Sequence, residues 1–178
     1  MSKAALKKEL QKFIKEHLIE HILDLYDKNK SVKEFYDFHL HPVNEKDLAK
    51  KYKKIIRKEF DVGSPQRAGL KFSVAKRAIS DFKDLQPSPD TLADVMLFLP
   101  ECACEFTFNY GDMTEQFYNA AYNNFAAALK FIAKYGLLES FELRAKQCVK
   151  WASPCGYGFA DEIESEFIEH YQHEYRTR

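Results

Sequence analysis

No stretch of this sequence holds the run of about 20 apolar residues that a membrane-spanning helix requires. Its first residues, MSKAALKKELQKF, lack the apolar segment and small-residue cleavage site of a secretory leader. A cytoplasmic location with no membrane partner is therefore expected. Cysteine is scarce: Cys102, Cys104, Cys148 and Cys155 are too few to frame a disulfide scaffold, and free thiols are expected. Glycine is sparse too, with 6 in 178 residues, and none falls in a phosphate-cradling loop or a G-x-S-x-G nucleophile elbow. No serine or cysteine stands beside a recognisable base, so covalent catalysis has no visible candidate. Alternating apolar and polar stretches long enough to demand a strand are also missing.

What is there reads as helix. Apolar residues make up 46% of the chain and aromatics 15%, enough for a globular core, and the length suits one all-helical domain over residues 1–178. The spacing predicts Ala4 to Phe13 and Glu16 to Lys28 as a helix pair or one continuous helix. A third helix is expected behind Ser31 as N-cap, with Glu34 completing a capping box and Pro42 after its end. A lysine-rich helix from Glu45 to Phe60 is expected to bury Leu48, Tyr52, Ile55 and Ile56. The stretch DVGSPQRAG, residues 61–69, reads as the longest irregular connection. A helix of about 14 residues from Lys71 should follow, packing Val74, Ala78, Ile79 and Phe82.

Ser88, Pro89 and Asp90 form a helix start: a capping hydroxyl, a proline where no N–H is needed, and a carboxylate at the positive helix end. The apolar stripe beyond keeps phase through Pro100, which predicts one kinked helix. Asp112 is the expected cap of the next helix, Met113 to Tyr135, whose apolar residues on several sides make it the predicted central helix. Gly136 fits the left-handed position past its end. Leu138 to Trp151 and Phe159 to Tyr175 complete about eight or nine helices. They are expected as stacked hairpins, in an α-superhelix-like layer, or as a compact bundle.

The net charge of zero conceals an asymmetry. Met1 to Lys83 holds 20 Lys and Arg against 12 Asp and Glu, and the remainder holds 7 against 15. Lys50, Lys51, Lys53, Lys54, Arg57 and Lys58 are expected on the outside of one helix as a basic patch. Such a half attracts an acidic partner: the chain's own other half, a second copy, or a polyanion. Against nucleic acid stand the interrupting Glu45, Asp47 and Glu59 and the scarcity of arginine in the basic half, where only Arg57, Arg67 and Arg77 occur.

The blocks ELQKFIKEHLIEHILDLYDKNKSVKEFYDF, GLKFSVAKRAISDFK, FTFNYGD and GYGFADEI, in that order, resemble an uncharacterised bacterial family, domain of unknown function 6155. The likeness spans nearly the whole chain. It implies a soluble bacterial all-helical protein, brings no assigned reaction, and transfers no catalytic residue.

Three residue groups invite a chemical reading. HLIEH, residues 17–21, matches the H-x-x-E-H of inverted zinc peptidases. On its helix, however, His17, Glu20, His21 and Asp24 fall on the polar side, and no third ligand is announced nearby. His170 and His173, one turn apart with Glu166 beside them, allow shared metal coordination, but a solvated helix face is the simpler account. Cys102 and Cys104 are rotated about 200° from each other on a helix and cannot grip one metal. Cys102 lies on the apolar stripe as a small hydrophobe, and a tertiary cluster of Cys148 and Cys155 with Cys102 is the alternative. Tyr110, Asp112, Tyr157, Asp161 and Glu162 lie near glycines at helix boundaries, where they either line a polar pocket or serve as caps and fillers.

The reading that follows is a non-catalytic protein-interaction or scaffold module without a cofactor, binding a protein partner or its own second copy. Its rivals are a metal-dependent hydrolase using the His/Glu pairs and a nucleic-acid binder using the basic N-terminal half.

Overall fold

The computed structural model describes residues 1–40 and 45–176, with side chains up to residue 171. Pro42 and the side chains of His173 and Tyr175 lie outside the described residues. Among those described the protein is all-α, with nine helices, one 3₁₀ turn at Pro65–Arg67 and no strand. None of these helices is long and apolar enough to cross a membrane. The chain divides into two compact units, Met1–Asn44 and Glu45–Arg178.

The N-terminal unit is α1 (Lys3–Leu10), α2 (Lys15–Lys28) and α3 (Lys30–Leu40). The apolar stripe continues through Phe13 and Ile14, yet α1 ends at Leu10 and α2 starts at Lys15, so a pair of helices forms and not one. Ser2 starts α1 by accepting the Ala5 N–H on its hydroxyl at 3.2 Å. Helices α2 and α3 pack on each other, and the Tyr26 hydroxyl donates to Asp37 across them at 2.6 Å. Ser31 is not the cap of α3. Asn29 takes that role, its side-chain oxygen accepting the N–H groups of Ser31 at 3.0 Å and Val32 at 3.4 Å. An Asn at the break between two helices reaches the first free amides before a serine two residues later can.

The C-terminal unit is α4 (Glu45–Glu59), α5 (Phe72–Asp84), α6 (Pro89–Tyr110), α7 (Glu115–Lys134), α8 (Leu138–Ala152) and α9 (Phe159–Arg176). The predicted start of α6 is present: the Ser88 hydroxyl accepts the Thr91 N–H, Pro89 opens the first turn, and Pro100 sits inside one unbroken helix. Helix α6 and not α7 is central. It packs against α4, α5, α7 and α8, whereas α7 meets α6, α8 and α9. Twelve of its 22 residues are buried, against 7 of 20 in α7. Apolarity on several sides marks both helices, and only the number of neighbours separates them.

Three further expectations need correction. Thr114, not Asp112, caps α7 by accepting the Phe117 N–H. In α4 the inward residues are Ala49, Tyr52 and Ile56, with Ile55 exposed. In α5 Ala75 is buried and Val74 is exposed. Tyr52, Ile56, Ala78 and Phe82 keep the predicted stripe, and in each helix an alanine, Ala49 or Ala75, joins the seam beside them. Gly136 has φ +68° in the left-handed region and closes α7 as expected. The core then fills with Phe60, Phe82, Leu97, Leu99, Phe125, Leu129, Phe159 and Ile163, all fully buried. Each contributes about 1.5–3 kcal/mol on burial.

Candidate functional site

The N-terminal unit has no buried residue in any of its helices. Its apolar side chains are nonetheless arranged on faces. On α2, Leu18 and Tyr26 are half-buried, while Ile19, Ile22, Leu23 and Leu25 remain 39–56% exposed. On α1, Leu6 and Leu10 form the floor of an apolar groove of about 770 Å³ edged by Lys3 and Lys7 and reached by Leu18. His17, Glu20, His21 and Asp24 face water, with the His21 ring edge-on to Phe13 at 5.2 Å. Asp24 pairs with Lys28 at 2.6 Å, which holds its carboxyl below the usual range. Among the described residues no three His, Cys, Asp or Glu side chains converge in a metal-holding cluster.

The charged residues of the C-terminal unit behave differently. Lys53 and Arg57, expected in the outward basic patch, turn inward from α4. Lys53 pairs with Asp94 at 2.5 Å and Arg57 pairs with Glu105, and both cations lie 5.0 Å from the Phe98 ring centre. From α8, Arg144 grips both oxygens of Glu101 at 2.6 and 2.7 Å and reaches Asp94 at 2.5 Å. Burial alone would lower the Arg144 pKa, but Glu101 and Asp94 outweigh it and raise it. The network draws basic-half and acidic-half residues together, so part of the charge asymmetry is satisfied inside this unit. Lys50, Lys51, Lys54 and Lys58 stay on the surface, with Lys50 paired to Asp47 at 2.8 Å. The sequence shows that these residues are charged; it does not show that α6 brings three carboxylates, and α8 the further cation Arg144, to that side of α4.

The residues expected around a polar pocket are only partly brought together. Asp112 accepts the Tyr118 hydroxyl at 2.8 Å and the Gly156 N–H at 2.9 Å, bonds that lower its pKa, the Gly156 N–H most. Asp112 and Tyr157 line one cleft of about 630 Å³ over Phe72 and Phe117. Leu70, on the same cleft, and Tyr157 both take positive φ, 50° and 57°, a conformation costly for non-glycine residues. Tyr110 instead donates its hydroxyl to the Val62 carbonyl. Asp161 and Glu162 stand exposed in the first turn of α9. Sequence reasoning missed Tyr118 and Thr107, and did not place the Thr107 hydroxyl 2.7 Å from the Cys155 sulfur. Nothing local in sequence joins them.

Cys102, Cys104 and Cys148 are fully buried. Cys102 lies within the electrostatic reach of Arg57, and Cys104 is hydrogen-bonded to Cys148. Cys104 interacts with both Cys148 and Cys155. Burial pushes the Cys102 thiol up to about 12 and raises those of Cys148 and Cys155, the reverse of what an activated thiolate at these three positions needs. His170 is not on a solvated face. It is half-buried, 3.2 Å from Glu166, whose other oxygen accepts the Tyr122 hydroxyl at 3.1 Å.

The sequence profile of DUF6155, a family of unknown function, matches residues 1–157. The chain belongs to that family. The match runs through both units and ends at Tyr157, so α9 lies beyond the DUF6155 region while the α1–α3 faces, the ion network and the Asp112 cleft lie within it. No curated protein and no solved structure matches the chain.

Proposed function

We propose that this DUF6155 protein works by binding another protein chain through its N-terminal unit. The observation that carries the reading is the complete lack of buried residues in α1, α2 and α3 beside so much exposed aliphatic surface. Helices shorter than about 12–15 residues are marginal in water without packing, and α1 has 8 residues and α3 has 11. Contiguous apolar surface on a folded protein marks an interaction site. The C-terminal unit, with its dense core and internally matched charges, supplies the stable base.

The test is recovery of tagged protein from its native host, comparing the parent with an Ile19→Asp, Leu23→Asp variant. Both side chains are exposed, so the variant keeps the fold of the C-terminal unit. The parent is expected to bring down a defined protein, its own untagged chain included, that the variant loses. Equal recovery by both would end the proposal.

A further inference from the structure

Resting on that reading, we infer that the chain covering the N-terminal unit is a second copy of this protein, docked about a two-fold axis with α1 of each protomer on α2 of the other. The two helices carry unlike but complementary stripes. On α1, Leu6 and Leu10 are one turn apart, and Lys3 and Lys7, also one turn apart, border them. On α2, Ile19 and Leu23 repeat the spacing, and at 100° per residue Glu16, Glu20 and Asp27 flank them on one side.

One stripe is leucine bordered by cations, and the other is aliphatic bordered by carboxylates. Each therefore suits the other in apolar contact and in charge, and Lys3–Lys7 matches Glu16–Glu20 in length, one helical turn. Within a single chain this match is not made: Leu6 stays 43%, Ile19 46% and Leu23 56% exposed. On α2, Leu18 lines the α1 groove, and Tyr26, two turns beyond Ile19, donates its hydroxyl to Asp37 of α3.

A two-fold axis resolves this. In an isologous contact, residue i of one copy meets residue j of the other and j meets i, so unlike complementary stripes on one chain are both satisfied at once. A specific interface covers about 800 Å² on each partner. Phe13, Ile14 and Ile22, each more than a third exposed, extend the apolar area beyond the two stripes. A partner carrying only acidic groups would match α1 and repel α2, and a basic one the reverse. The second copy carries both signs in the required places.

The decisive experiment is sedimentation velocity on the full chain, run across concentration and salt. The parent is expected to dimerise reversibly and to weaken as salt rises. A Lys3→Glu, Lys7→Glu variant and a Glu16→Lys, Glu20→Lys variant should each associate with themselves at least about tenfold more weakly. Mixed in equal amounts, the two variants should form a heterodimer, because every α1–α2 contact in the mixed pair again joins opposite charges. A parent that is monomeric throughout, or a mixture that stays monomeric, overturns the inference. If the parent is monomeric while Ile19→Asp, Leu23→Asp still abolishes capture of a defined partner, the occupant is wrong and the protein-binding reading stands. If Ile19 and Leu23 amides resist hydrogen exchange as strongly in the monomer as the core of α6, both fail, because the unit is then covered by its own chain.

Discussion

In the C-terminal unit α6 alone buries twelve of its 22 residues, whereas all three N-terminal helices together bury none. Both regions have helical apolar patterning and similar charge density. The difference is in what meets the apolar face: α6 is enclosed by four helices, while the outer faces of α1 and α2 meet water. Amphipathic pattern makes a helix ready to be covered, and it does not supply the cover. The charged residues divide in the same way. Lys53, Arg57 and Arg144 are matched to carboxylates from other helices, while Asp24, Lys28, Glu9 and Lys12 pair only along their own segment in exposed bridges, which contribute little.

Substitutions on the two sides of this contrast should differ widely in cost. The largest effect is expected for Phe125→Ala in the core, at about 3–5 kcal/mol of unfolding free energy by denaturant titration. A loss below about 1 kcal/mol would mean that the core is far looser than its burial implies. Next, Arg144→Met leaves Asp94 and Glu101 facing each other without their shared cation and should cost about 2–4 kcal/mol, the guanidinium being 30% exposed. The same titration checks it, and a neutral result would show that water replaces the clamp.

Asn29→Ala removes the α3 cap, with an expected cost of about 1 kcal/mol confined to the N-terminal unit. Hydrogen exchange reads this as faster α3 amides with the α6 amides unchanged; acceleration of both would show that the units unfold together. The Asp112 tether gives a local pH response. Its folded pKa is depressed, so its contribution is complete above the ordinary carboxylate value of about 4 and is lost as pH falls through the lower folded value. The Gly156 amide resonance should titrate below that ordinary value, and a midpoint at or above it would falsify the tether. The smallest effect is expected for Leu23→Ala, under about 0.5 kcal/mol in the monomer. A cost matching that of Phe125→Ala would erase the contrast altogether.

Much of the fold is legible in the sequence because helices announce themselves by period and by start signals. Ser88–Pro89, Gly136 and the stripe running through Pro100 are local features, and the structure bears them out. Less legible is anything decided by a distant neighbour. Asn29 and Thr114 displaced the nearby Ser31 and Asp112 as caps, since several residues at a helix start compete for the same amides. Lys53, Arg57 and His170 look solvent-facing until α6, α8 and Tyr122 are placed beside them. The water-facing side of HLIEH was legible from helical phase. That Ile19 and Leu23 on the opposite side are exposed as well was not, because periodicity identifies a face without saying what lies against it.

The ion pairs of Lys53, Arg57 and Arg144 with Asp94, Glu101 and Glu105 set three positive against three negative side chains spread over three helices. Loss of any one leaves an uncompensated charge in a partly enclosed place, which makes an isolated change of sign costly. Across related sequences these six positions are therefore expected to drift as a set. Their covariation would be the evolutionary trace of the α4–α6–α8 arrangement, left in residues that no hydrophobic pattern would single out.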